Sequence, residues 1–209
     1  YKEIGSDFMK KVVFATGNQS KSKRFSEGLL KKDIEVLSLK DLQITLDVEE
    51  NGENAIENAR IKARACYQKT HMPTIGMDDN LYLENVPDDM QPGMFVRRVN
   101  GKTLNDDEMI EHYVGLVKQY GKNGILNSKW IYGMVVIDEN GNESTYSWSK
   151  GNFYMTDIVS DKINPGYPLN SISKYKAVDK YFTDELTEEE KNLINVSEDD
   201  VVEFIADNA

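Results

Sequence analysis

Hydrophobic and polar positions along this chain alternate and repeat with periods that mark out strands and helices. Residues 11–15 form a short β-rich run that ends at Thr16-Gly17-Asn18, and helix-compatible spacing follows over 21–30. Residues 35–39 predict a second strand, so the order strand, turn, helix, strand points to a parallel α/β layer. Over 53–69, Ala55, Ile56, Ala59, Ala63, Cys66 and Tyr67 recur close to i, i+3, i+4 spacing and make one apolar stripe on a helix. Pro73 then leads into a short strand, 74–77, that runs into Asp78-Asp79. A further helix is predicted over 105–119, with Asn105 as N-cap, Glu108 completing a capping box, and Met109, Ile110, Tyr113, Val114 and Val117 on its buried face. Residues 129–138 and 144–150 are strand-like and flank Glu139-Asn140-Gly141-Asn142, a hairpin signal. Two capped helical stretches close the chain, one starting near Thr187 with Glu190 and one near Ser197 with Asp200.

The chain has 209 residues, 39% hydrophobic and 29% charged, enough for one good-sized domain or two small lobes sharing a cleft. It contains no internal repeat and no linker long enough to separate independent domains, so 9–209 is expected to be one domain. Residues 1–8 read as an extraneous segment ahead of a natural start at Met9. The formal net charge of −11 repels nucleic-acid phosphates, which argues against DNA or RNA as a partner. A nucleotide remains compatible, because a local basic cleft or a bound cation can reverse the field. The lone cysteine, Cys66, excludes an intramolecular disulfide and reads as a small buried apolar residue. No apolar run approaches the length of a membrane span, and the expected location is cytoplasmic.

Three places carry candidate chemistry. Thr16-Gly17-Asn18-Gln19-Ser20-Lys21 sets a glycine between a strand and a helix, where backbone N–H groups can approach phosphate oxygens and Lys21 can add a full charge. The segment lacks the longer glycine-rich loop of a Walker A motif, and Gly-Asn after a strand is also an ordinary turn. Glu49, Glu50, Asp78 and Asp79 supply carboxylates of the kind that Mg²⁺ takes, one or two at a time alongside substrate phosphates. Side chains alternate across a strand, so at most one of Asp78 and Asp79 points into a given site. Lys62 lies on the helix after Glu50, where a lysine is ordinarily a solvated surface group. His71 and His112 have no partners at triad or zinc spacing and read as structural.

Taken together, these segments resemble the Ham1/RdgB inosine triphosphatase family. "FATGNQSK" resembles its opening turn, "EENGENAIENARIKA" its glutamate-plus-lysine helix, "PTIGMDDNLYLENV" its Asp-Asp strand, "PGMFVRR" the following segment and "DELTEEEKN" its late lysine stretch. The resemblance spans about Phe14 to Asn192. It implies an α/β fold with a long mixed, twisted sheet, flanking helices and two lobes around a central cleft. It also implies a Mg²⁺-dependent enzyme that cleaves nucleoside triphosphates, of deaminated purines above all, to monophosphate and pyrophosphate, and a homodimer. On that alignment Thr16, Gly17, Asn18, Lys21 and Lys62 contact the triphosphate. Glu50 and Asp79 bind the metal, Asp79 is the general base, and Asn80, Arg98, Gly166, Tyr167 and Lys191 complete the substrate site.

The departures concern the base-reading end. Asn80 stands where the family has Ser or Thr, Pro165-Gly166-Tyr167-Pro168 where it has Phe-Gly-Tyr-Asp, and Asn195-Val196-Ser197 where it has Ser-His-Arg. Phosphate and metal groups remain while readers of the purine edge are missing, so altered base specificity is expected. Two other readings stay open: a weakly active or inactive nucleotide-binding protein of the same fold, and a hydrolase of a different phosphate ester.

Overall fold

The computed structural model describes residues 9–195 and 197–209; the expected extraneous segment, 1–8, and Val196 lie outside the described residues. The α/β class expected from the sequence is present. The strands are β1 (Lys10–Phe14), β2 (Ile34–Ser38), β3 (Thr74–Leu83), β4 (Arg98–Val99), β5 (Lys102–Thr103), β6 (Ile125–Ile137), β7 (Glu143–Thr156) and β8 (Ser173–Tyr175). Six of them form one sheet in the order β2-β1-β3-β6-β7-β8, and β4 pairs with β5 separately. The sheet is mixed, since β1 runs parallel to β2 and β3 whereas β7 and β8 are antiparallel. The chain divides into two compact units, residues 9–78, 132–147 and 197–209 in one, and 79–131 and 148–195 in the other. Strands β3, β6 and β7 each contribute residues to both. Among the described residues no helix is long and apolar enough to cross a membrane.

In the first unit β1 lies between β2 and β3, and Val12, Val13 and Phe14 are inaccessible, which is why the strand turns wholly apolar after its two exposed lysines. The predicted long helix is α3 (Ala55–Thr70). Asn54 caps it by accepting the Glu57 N–H at 3.0 Å, and His71 ends it at φ 52° with its N–H on Tyr67 O. Its small-residue stripe has a steric reason. A Cβ on Gly76 of β3 would stand 2.1 Å from Ala59 O, and one on Gly133 of β6 would stand 2.6 Å from Ile56 N. Only glycine opposite alanine lets helix and sheet approach so closely. Cys66 is buried as expected, and burial raises its thiol pKa.

Two expectations change in this unit. The helix predicted over 21–30 is two short helices, α1 (Gln19–Lys23) and α2 (Ser26–Leu30), interrupted at Arg24-Phe25. Phe25 is buried and stacked on Phe14 at 6.2 Å, while Arg24 donates to both Glu198 carboxylate oxygens at 2.7 and 2.8 Å and lies over the Tyr132 ring. These tertiary contacts override local helix continuity. The last helix, α6 (Asp199–Asn208), has Glu198 rather than Ser197 as its N-cap residue, with no side-chain cap. Ser197 Oγ accepts the Asp199 N–H instead, and the expected pairing with Asp200 is replaced.

The second unit packs around α4 (Asp106–Tyr120), whose capping box between Asn105 and Glu108 is the one predicted. Its Tyr113, Leu116 and Val117 pack with Leu81, Leu126 and Phe153 in one core. Helix α5 (Glu188–Ile194) likewise begins with the predicted Thr187–Glu190 box. The strand expected at 74–77 extends to Leu83, so Asp78 and Asp79 sit in mid-strand rather than at its end. Buried Leu81 and Leu83 continue β3 beyond the polar pair. For the same reason β7 runs past Lys150 to its buried residues Phe153 and Met155.

Candidate active site

The Thr16–Lys21 segment forms a tight turn after β1. The Asn18 N–H donates to Thr16 Oγ1 at 3.1 Å, and Asn18 Oδ1 accepts the N–H groups of Ser20 and Lys21 at 3.0 and 3.4 Å. Asn18 therefore caps α1. With five residues, and with these N–H groups already taken, α1 contributes less to anion binding than the expected helix N-terminus would. Gly17 is exposed, and nothing lies within 4 Å of the place its Cβ would occupy. The protein's own packing does not demand glycine there.

Thr16 and Gly17 line a cavity of about 960 Å³ together with Glu50 and Lys62, all in the first unit. Its other walls include Gln19, Lys40 and Gln43 and the apolar side chains of Leu39, Ile44 and Val48. At its acidic end the Lys62 ammonium stands 2.7 Å from Glu50 Oε1 and 3.5 Å from Asp78 Oδ1. The Lys62 and Asp78 side chains are 14% and 13% exposed, whereas Glu50 is 46% exposed. Lys62 is thus no solvated surface lysine. Asn58, itself buried, donates to Asp78 Oδ2 at 3.2 Å and accepts the Gly52 N–H at 2.8 Å. A Cβ on Gly52 would lie 2.7 Å from Asn58 Oδ1, so glycine is what lets the loop after Glu50 close on the helix. The chain of contacts Glu50–Lys62–Asp78–Asn58–Gly52 returns to within two residues of its start.

Asn58 was not among the candidate residues, and Asp78 was a candidate carboxylate to which the family resemblance gave no role. Asn58 lies four residues before Lys62 on α3, the spacing that puts two side chains on one helix face, and that was the available signal. Asp78 and Asp79 alternate across β3, so the contacts of Asp78 with Lys62 and Asn58 put Asp79 on the opposite face of the strand. Asn80, on the same face as Asp78, has a buried Oδ1 with no hydrogen-bond partner among the described residues.

The remaining expected residues lie in the second unit. Arg98, exposed on β4, lines a cavity of about 570 Å³ with Phe95, His112 and Tyr113. Gly166, at φ 81°, donates its N–H to Asp106 Oδ2 at 3.4 Å, and Tyr167 precedes a one-turn 3-10 helix that begins at buried Pro168. Lys191 pairs with Glu188 at 3.0 Å along the surface of α5.

Among the described residues no three His, Cys, Asp or Glu side chains cluster as a complete metal site. A magnesium ion asks for less, since one or two carboxylates suffice when phosphates and waters supply the other oxygens. Glu50, half exposed on the cavity wall, has the donor chemistry for such a shared site. With Lys62 positive and Glu50 and Asp78 negative, the cluster carries a net negative charge that favours a cation.

A model of the Ham1 family matches residues 12–197 of this chain. The dITP/XTP pyrophosphatase of Oceanobacillus iheyensis is 36% identical over 104 residues, 49% of this chain and 52% of that protein, so the match spans about half the length of this relative. The dITP/XTP pyrophosphatase of Wigglesworthia glossinidia brevipalpis is 30% identical over 189 residues, covering 90% of this chain and 91% of that one. The structure of the Staphylococcus aureus Ham1 protein has the same fold, with a TM-score of 0.70 at 20% identity over 94% of this chain and 98% of the other. Family model, near-full-length relative and fold agree, and this chain belongs to the Ham1 family.

Proposed function

We propose that this protein is a Mg²⁺-dependent nucleoside triphosphate pyrophosphohydrolase that converts its substrate to monophosphate and pyrophosphate. Relatives named dITP/XTP pyrophosphatase support the reaction class. The observation that carries the reading for this chain is the Lys62 ammonium held between Glu50 and Asp78 on a cavity lined by Thr16 and Gly17. Thr16, Asn18, Lys21 and Lys62 hold the triphosphate, with Gly17 leaving room for phosphate oxygens against the backbone. By the family motif Glu50 and Asp79 would hold the cation, which when bound would neutralise phosphate charge and acidify water. Asp79 accepts a proton from the water that attacks the α-phosphorus. Lys62 and Lys21 balance the charge that builds on the departing pyrophosphate. A simple binding protein needs no base, so an aspartate at position 79, where the family motif carries one, favours an enzyme over a nucleotide-binding relic.

The base preference is proposed to be weak or redirected. Pro168, buried at the start of a 3-10 turn, has no acid to offer a purine edge. Losing a hydrogen-bonding reader removes on the order of 1–3 kcal/mol of discrimination, and each ~1.4 kcal/mol is a factor of ten. Comparing kcat/KM for inosine and xanthosine triphosphates with ATP and GTP tests this. A preference below about a hundredfold is expected, and a larger one for the deaminated bases would mean that other residues rebuilt the pocket.

A further inference from the structure

The two carboxylates around Lys62 are not equivalent. Asp78 is buried in mid-strand and tied to Asn58, which is tied in turn to Gly52. Glu50 lies outside any helix or strand and is more than three times as exposed, 46% against 13%. An ammonium donates in three directions. The direction toward Asp78 is fixed by packing, and the direction toward Glu50 faces the cavity. An incoming phosphate oxygen therefore meets Lys62 on the side that Glu50 occupies.

Resting on the function proposed above, we infer that Lys62 guards Glu50: its ammonium holds this carboxylate until a triphosphate takes Glu50's place, and cation and nucleotide binding are thereby interdependent. Asp78 and Asn58 are the positioning residues that keep Lys62 in place during the exchange. A divalent cation alone competes with the ammonium, 2.7 Å from Oε1, for the Glu50 carboxylate. A triphosphate alone would leave the freed Glu50 carboxylate beside phosphate oxygens of like charge. Each ligand removes the other's obstacle, and linkage makes the effect reciprocal.

The test is titration of the full chain with Mn²⁺, following free Mn²⁺ by electron paramagnetic resonance with and without an α,β-methylene triphosphate analogue that resists hydrolysis. Without the analogue, Lys62→Met should bind Mn²⁺ on the order of tenfold more tightly than the unsubstituted protein. Lys40→Met, which removes the same charge from the wall of the same cavity, should change the affinity by less than about twofold. Asp78→Asn should shrink the ratio of Mn²⁺ affinities measured with and without the analogue, because Lys62 loses its fixed partner. Unchanged or weaker Mn²⁺ binding in a folded Lys62→Met protein would overturn the exchange, as would equal tightening by Lys40→Met. In either case, loss of Mn²⁺ binding in Glu50→Gln with the analogue present would leave the metal assignment standing. If Glu50→Gln binds Mn²⁺ normally with the analogue present, the metal assignment fails and the exchange with it.

Discussion

At the scale of single residues, the candidate site depends on how few charges are placed and how differently they are exposed. Lys62 is drawn in by two carboxylates, and Asn58 spends both ends of its amide on Asp78 and the loop after Glu50. Asp79→Asn keeps side-chain size but removes the proposed base, so kcat should fall by about 10²–10⁴ with little change in thermal stability. Assaying Asp78→Asn in parallel checks the choice, since near-normal kcat in Asp79→Asn together with loss in Asp78→Asn would assign the base to the other aspartate. Glu50→Gln should raise the Mg²⁺ concentration for half-maximal rate at least ~10-fold, measured as a Mg²⁺ titration at saturating substrate. Glu50 and Lys62 were legible in the sequence because the family motif carries them. Asp78 and Asn58 were not, because their role depends on which face of β3 meets α3, and alternation alone leaves that face undetermined.

At the scale of elements, the site depends on close contacts that small residues permit. Gly76→Ala would drive a methyl into Ala59 O, displacing α3 and with it Asn58 and Lys62. A loss of roughly 1–3 kcal/mol is expected, read as a lower midpoint in urea unfolding. The Arg24–Glu198 pair ties the break between α1 and α2 to the start of α6. Burial disfavours the Arg24 charge, yet the hydrogen bonds and charge of Glu198 together with Tyr132 outweigh it and hold the guanidinium pKa above its ordinary value. Glu198→Ala would leave a largely buried cation without its partner, and should cost up to about 3 kcal/mol. Glu27→Ala, which breaks an exposed pair with Lys31, should cost less than about 0.5 kcal/mol. Equal midpoints for these two variants would contradict this view of the clamp. Helices α3, α4 and α5 could be read from periodicity and caps because their determinants are local. The break at Arg24-Phe25 and the start of α6 could not, since the residues that decide them are 174 positions apart.

At the scale of the whole molecule, a chain of net charge −11 would need local compensation to take a polyanion, and the proposed site would draw it from the lysines of the first unit together with a cation. The second unit contributes a pH response. Burial lowers the His112 pKa below its ordinary 6.5. The unfolded chain then binds this proton more readily than the folded one. Stability from a neutral His112 is therefore complete above 6.5 and is lost as the pH falls through the lower folded value. Between about pH 7 and about pH 5, Tm should fall less steeply in His112→Gln than in the unsubstituted protein, and parallel slopes would contradict this. Periodicity revealed the α/β class and most elements, and the family motif picked out the turn after β1 that is proposed to hold phosphate. The short strands β4, β5 and β8 escaped because two or three residues carry no period. The measurement bearing most directly on function is ³¹P NMR of the products formed from deoxyinosine triphosphate and Mg²⁺ in water enriched in ¹⁸O. Pyrophosphate should appear together with a monophosphate that carries the label, and both should vanish in Asp79→Asn. Orthophosphate and a nucleoside diphosphate, or label in the pyrophosphate, would contradict attack at the α-phosphorus and with it the proposed reaction.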